Sequence, residues 1–599
     1  MKHRDRWIAL LGPLLIAGSA ICMLVLSWRK WPDLLIDFGQ QLYLAWQMSE
    51  GRTLYTELVC NYGPLAPYAN SWAFECFGAS VMTLVGLNLA VFLGIAWLIY
   101  ALALRIGDRL SAAVAGIVLM LVFGFSQVSM GGNFNYAAPY ENGLTIGLLP
   151  ALAALWFALR YVETGRGCSL VGICLGLAFL TKPEVFLAGG AGVASTWLAM
   201  AWYESWSLRR VLRTFASATL WLTLPLLVAT VLLAFAMPVG SAIGGVLGSW
   251  PASLGSGAAE LAFYRQGMGF TDVPESLRKL AISMALWGLV GLLGMASAAF
   301  VARLAYRYQK PVGILWATLL GAAAILAYSV DQWHRAGHAL QVGAALVGVL
   351  GLASLRKFRR SELVATDISV QRTVARLGFA AFALTLLLKM IMNVRVYHYG
   401  FVLAMPATVL ALTAMLSWLP AWHRHRGRSA LTVLAVHLAL IVGFTQSHVR
   451  RSVDALARSK TAVGQGANEL YSNERAHFVN PVLALLERLA PSSLAVFPEG
   501  AMLNFLAGIP NPTPFYNFVP TGYAIFGEAR ILDALKATPP EVLVLCDRDT
   551  SEFGFRYFGQ DYAQQTRAWM EKHYREERVF GSTPLTGQGY GIAVWKRRQ

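Results

Sequence analysis

Trp7 to Leu26 reads WIALLGPLLIAGSAICMLVL and contains no charged residue. At 1.5 Å per residue, a helix of that length crosses about 30 Å, the thickness of a bilayer's hydrocarbon core. Lys2, Arg4 and Arg6 precede it, and Arg29 and Lys30 follow. The run is too long for a typical signal-peptide core and lacks a small-residue cleavage site, so it reads as an uncleaved first span. The rest of the 599-residue chain has the same character: 56% hydrophobic residues, only 14% charged and 19 Trp. Soluble proteins carry about 25% charged residues.

Further spans are expected near 80–103, 110–125, 143–160, 168–182, 185–203, 215–236, 280–302, 312–329, 338–355, 376–392, 400–419 and 430–446. That makes about thirteen, in a polytopic α-helical membrane protein. Basic residues set the orientation. Clusters such as Arg209, Arg210 and Arg213, or Arg356, Lys357, Arg359 and Arg360, recur in alternate connections, whereas the others hold scattered cations. This predicts a cytoplasmic N-terminus and places everything after about residue 447 outside. It also accounts for much of the +17 net charge without a nucleic-acid partner.

The chain therefore divides at 446. Residues 1–446 form a membrane unit and 447–599 a small extracytoplasmic α/β domain. Within the latter, 493–498, 541–547 and 591–595 read as strands, and 525–537 and 560–574 as helices. The turn Pro498-Glu499-Gly500 carries no distinct signal beyond turn chemistry. Six scattered cysteines offer no metal-ligand spacing. Cys60 and Cys76 share one outer loop and are read as unbridged buried residues, with a disulfide as the alternative.

The outer loop from Trp28 to Ala79 far exceeds the usual connection length and is therefore read as functional. Asp37-Phe38-Gly39 opens it, followed by an amphipathic, aromatic-rich stretch suited to the headgroup region. Asp37 is either a carboxylate held at the membrane surface for chemistry or the N-cap of the next helix. Other outer segments supply Tyr140 and Glu141; Thr181-Lys182-Pro183-Glu184, where Lys182 and Glu184 can neutralise one another; Arg335 and His338; and Arg395, Tyr397, His398 and Tyr399. The pattern is carboxylates facing cations at one membrane surface, as a lipid phosphate and a general base would require. No HExxH, GxSxG or Walker motif points elsewhere.

Asp37 after the first span, Tyr62-Gly63-Pro64-Leu65 closing the loop, Thr181-Lys182-Pro183 after Gly172 and Gly176, and Tyr397-x-Tyr399-Gly400-Phe401 come in an order that resembles the GT-C superfamily. More narrowly, the chain resembles the bacterial branch of protein-mannosyltransferase- and aminoarabinose-transferase-like enzymes. The resemblance implies a GT-C-like membrane unit in a bacterial inner membrane. It implies inverting transfer of a monosaccharide from a polyprenyl-phosphate donor to a glycan, lipid or protein acceptor. Asp37 would be the base, and Lys182, Arg395 and Arg335 would hold donor phosphate. Glu141, Tyr62, Tyr140 and His398 would contact sugar or acceptor. Protein mannosyltransferases carry paired acids where this chain has Asp37-Phe38, so no metal ligand is assigned and a divalent ion is unsupported. The competing readings are a transporter or lipid flippase, disfavoured by the lack of internal repeats, and a non-catalytic scaffold.

Overall fold

A computed structural model describes residues 2–128, 131–248, 250, 260–308, 337–360, 367–426 and 430–598. Among them, nine helices are long and apolar enough to cross a bilayer. They include α1 (Lys2–Ser27), α4 (Val81–Ile106), α6 (Asn142–Thr164), α8 (Pro183–Tyr203) and α9 (Leu208–Ala234). The others are Gly337–Arg360, Asp367–Met390, Gly400–His425 and Val433–Leu456. Two expected spans coincide with shorter apolar helices, Arg109–Gly124 (α5) and Cys168–Phe179 (α7). The expected span at 280–302 lies inside the helix Val273–Tyr308. The one at 312–329 falls outside the described residues.

Burial sorts these helices into layers. α6 and the helices covering 367–390 and 400–425 are mostly buried, whereas α1 and α9 bury little. Leu14 and Val25 on α1, and Leu220, Leu227 and Leu232 on α9, are exposed, as residues facing lipid must be. The peripheral α9 is held by Gly172 and Gly176 of α7. A Cβ on either would fall within 2.5 Å of an α9 carbonyl oxygen, Ala218 O or Leu222 O. Small residues four apart let two helix backbones touch where no hydrophobic effect drives them together.

Between α1 and α4, the long loop folds into α2 (Phe38–Ser49) and α3 (Leu65–Phe77). α2 was expected to lie in the headgroup region. Instead most of its residues are buried, because the C-terminal region covers it. That region contains a hairpin, β1 (Thr461–Val463) with β2 (Leu470–Ser472), and a four-stranded sheet. The sheet comprises β3 (Leu494–Phe497), β4 (Val542–Cys546), β5 (Tyr574–Gly581) and β6 (Gly591–Arg597) in the order β3-β4-β6-β5. β3 and β4 are parallel; the other pairs are antiparallel. The three expected strands are present, while β5, β1, β2 and the helix Ala476–Leu489 are additions.

Every residue of β3 and β4 is buried, so the period-two alternation serves two cores. Leu494, Val496, Val542 and Val544 join the cluster containing Trp31 and Phe38 of the first loop. Ala495, Phe497, Leu543 and Leu545 face a second cluster with Phe518, Ile531 and Met570. Tyr471 N–H donates to Arg29 O at 2.8 Å, and Arg29 pairs with Glu469 at 3.2 Å, which fastens the hairpin to the end of α1.

Candidate active site

The site begins with a backbone distortion. Asp37 has φ 65° and ψ −83°, and Phe38 N–H donates to Ile36 O at 2.9 Å, closing a three-residue turn around it. This is the rare, strained form of the γ-turn, and strain of this kind costs about 1–3 kcal/mol. Asp37 occupies the N-cap position of α2, yet its side chain makes no capping bond. The capping alternative is therefore corrected by the structure: the turn aims the carboxylate away from the helix end. Its Oδ2 lies against Gly132, and the backbone N–H of Asn133 faces the carboxyl and lowers its pKa slightly against the larger upward pushes.

The preceding segment is locked by Asp33, whose Oδ1 accepts from Leu35 N–H (3.0 Å) and Ile36 N–H (3.1 Å). Arg475 pairs with Asp33 at 3.2 Å. On the far side, α2 meets the short helix Ala501–Ala507 so closely that a Cβ on Gly39 would fall 2.5 Å from Met502 N. The glycine of Asp37-Phe38-Gly39 is thus required by the C-terminal region.

Asp37 lies on the wall of a cavity of about 500 Å³, within the range of small-molecule sites. Tyr62, Tyr140, Tyr399 and Tyr516 line it together with Phe134 and His398. Among the described residues, the carboxylates on the wall are Asp37, Glu141, Glu499 and Glu552, and Arg548 is the cation. Burial holds the Asp37 carboxyl well above the usual range, and the neighbouring charges of Glu499 and then Asp33 push it the same way. Glu499 is also raised by burial, against the pull of Arg548.

The Tyr62-Gly63-Pro64-Leu65 and Thr181-Lys182-Pro183 motifs meet here. Gly63 N–H donates to Thr181 O and Leu65 N–H to Leu180 O, both at 3.1 Å. This sets the Lys182 ammonium 4.3 Å from the centre of the Tyr62 ring and 5.2 Å from that of Tyr140. Lys182 is buried behind those rings, and burial depresses its pKa while Glu141 opposes the shift. Glu141 Oε1 accepts from Gly143 N–H at 2.8 Å, and burial raises its pKa. The expected Lys182–Glu184 neutralisation does not form, because Glu184 pairs with Lys389 from a distant helix.

Arg395 stands behind His398, donating to its Nδ1 at 3.2 Å. Burial, then the Arg395 charge, lowers the His398 pKa to about 3, so this imidazole is neutral at physiological pH. Its ring centre lies 4.0 Å from that of Phe134, with the two planes tilted by 32°. Arg335 lies outside the described residues. Of the expected residues, Asp37, Glu141, Tyr62, Tyr140 and His398 line the cavity, with Lys182 and Arg395 behind its wall.

Sequence reasoning passed over Glu499 and Arg548. Glu499 sits in a turn indistinguishable from structural turns, and nothing local marks Arg548. Cys60 and Cys76 are free thiols, as read, but neither is fully buried: Cys60 is partly exposed and Cys76 exposed. Among the described residues, no group of three His, Cys, Asp or Glu side chains gathers to hold a metal.

Fold and apolar surface together define a polytopic helical membrane protein with a small C-terminal sheet region over one end of its helices. No family model and no curated protein matches the chain in sequence. Among solved structures, it is similar to the Archaeoglobus fulgidus oligosaccharyltransferase tethered with an acceptor peptide. That similarity has 12% identity and a TM-score of 0.49, covering 98% of this chain and 74% of that one. It is also similar to ArnT from Cupriavidus metallidurans bound to undecaprenyl phosphate, with 14% identity, a TM-score of 0.44 and 97% of each chain covered.

Proposed function

We propose that this chain is an inverting membrane glycosyltransferase that moves a monosaccharide from a polyprenyl-phosphate donor to an acceptor hydroxyl. In this reading residues 1–446 form the membrane-embedded catalytic unit. Residues 447–599, of which the first ten continue the last membrane helix to Leu456, form an extracytoplasmic domain covering it, in a bacterial inner membrane with the N-terminus cytoplasmic. The observation that carries the reading is Asp37: a strained carboxyl with raised basicity on the wall of a deep, aromatic-lined cavity. The motif order that resembles the GT-C superfamily supports it.

Asp37 accepts the proton of the acceptor hydroxyl as that oxygen bonds to the anomeric carbon from the face opposite the phosphate. The bond from anomeric carbon to phosphate oxygen breaks, and polyprenyl phosphate leaves with the electron pair. Lys182 and Arg395, cations held in place behind the wall, favour the developing phosphate charge by preorganised electrostatics. Tyr62, Tyr140 and neutral His398 offer hydroxyl and ring contacts to a sugar, and Glu141 offers an acceptor.

Two experiments test this. Mass spectrometry of envelope glycans and lipids from cells with and without the gene should show one sugar missing in the latter. Purified protein in lipid nanodiscs should release undecaprenyl phosphate from one of a panel of undecaprenyl-phosphate monosaccharides when given that acceptor. Absence of both changes overturns the proposal.

A further inference from the structure

The C-terminal region reaches the cavity with an acid that meets Asp37. Glu499 Oε1 accepts from Asp37 N–H at 3.3 Å and from Gln40 Nε2 at 3.0 Å, while its Oε2 accepts from Arg548 Nε at 3.2 Å. Glu499 is only 5% exposed, so its charge acts on Asp37 through protein rather than through water. The close approach of Gly39 to Met502 fixes the distance between the two elements that carry these acids.

We propose that Glu499 is a positioning residue for Asp37, holding its peptide in the strained turn and setting its basicity, so that the C-terminal region completes the base. The Asp37–Glu499 contact stands on geometry, whereas the role of Asp37 as a base rests on the glycosyltransferase proposal.

The other groups around Asp37 do not duplicate this role. Asp33, from the same loop, pushes the Asp37 carboxyl the same way but less than Glu499 does, and is paired with Arg475. Asn133 contributes an N–H from the segment before α6. Tyr399 and His398 face it from the segment before Gly400 as uncharged rings at neutral pH. Lys182 acts from behind Tyr62 and Tyr140. Arg548 is shared between Glu499 and Glu552, so its positive charge is divided between two carboxylates.

The test uses full-length protein in nanodiscs and two variants with opposite expected signs. Glu499→Gln keeps the acceptor for Asp37 N–H but removes the negative charge, so the acid limb of kcat/KM against pH should move down by about one unit. Arg548→Gln removes the positive charge, so the limb should move up. Lower turnover with the acid limb unmoved in both variants overturns the proposal.

A second readout needs no substrate. The infrared band of a protonated carboxyl that is absent from Asp37→Asn should titrate at lower pH in Glu499→Gln than in wild type, and identical titration overturns the pairing. If wild-type protein releases no undecaprenyl phosphate from any donor, the transferase reading fails while this band still decides the inference.

Discussion

Asp37 and Glu499 are 462 positions apart, yet the Asp37 amide donates to the Glu499 carboxylate. The contact joins a loop following the first membrane helix to a turn following a strand of the C-terminal sheet. The cavity therefore lies between two parts of the chain, and several measurable consequences follow from how its charges are enclosed.

Replacing Asp37 with Asn should reduce transfer by about 10²–10⁴-fold, the usual contribution of a general base. Its folded pKa is raised, so the folded state favours the neutral acid. Stability from that preference is full below the ordinary carboxylate range and is lost as pH rises through the folded value. Asp37→Asn should therefore melt above wild type at pH 8, with the gap closing near pH 4. Equal melting at both values would show that the carboxyl is not desolvated.

Gly39→Ala should separate α2 from the helix Ala501–Ala507, because its Cβ would sit 2.5 Å from a backbone nitrogen that no side-chain rotation can move. Overpacking of this kind costs about 1–3 kcal/mol. Limited proteolysis should then cut between the membrane helices and the C-terminal region faster than in wild type. Gly86→Ala, where nothing lies within 4 Å of the added carbon, is the matched control.

His398 should shape the acid stability of the protein and not the neutral limb of its activity. With a folded pKa near 3 against about 6.5 unfolded, its contribution is present above 6.5 and is lost as pH falls toward 3. Wild type should lose melting temperature more steeply than His398→Asn between pH 6.5 and 4. Asn tolerates the positive φ of 57° at this position.

Lys182→Met should destabilise the protein, because Glu141 loses the cation that opposes its desolvation. Adding Glu141→Gln should restore part of the loss. A double-mutant cycle should then give a coupling of about 0.5–3 kcal/mol. Strict additivity would mean the two charges do not sense each other.

Thiol labelling tests the orientation. Exposed Cys76 should react with a membrane-impermeant maleimide on intact spheroplasts. Cys60 should not, since burial pushes its pKa up to about 12. A Ser207→Cys variant, at the start of α9 beside Arg209 and Arg210, should label only after the membrane is opened. The reverse pattern would invert the topology.

The sequence alone determined the membrane class. Uncharged runs near 20 residues long admit few other uses, and α4 and α6 follow the apolar runs that announced them. It also brought forward Lys182, as a cation at the end of an apolar run, and Asp37, by its place in the order of motifs along the chain. β3 and β4 were legible as short apolar runs, whereas β5, with the pattern Tyr574-Arg575-Glu576-Glu577-Arg578, was hidden because an edge strand exposes its charged side chains.

Only the tertiary structure decided what surrounds those residues. Whether Asp37 caps a helix or faces a cavity depends on two backbone angles. Whether Lys182 pairs with Glu184 depends on where Lys389 arrives from another helix. The acid beside Asp37 depends on how the sheet settles on α2, a contact that costs chain entropy to close and is driven by apolar surface distributed over both parts. Local pattern records hydrophobic periodicity and isolated charge; it does not record which distant side chain will share a desolvated space.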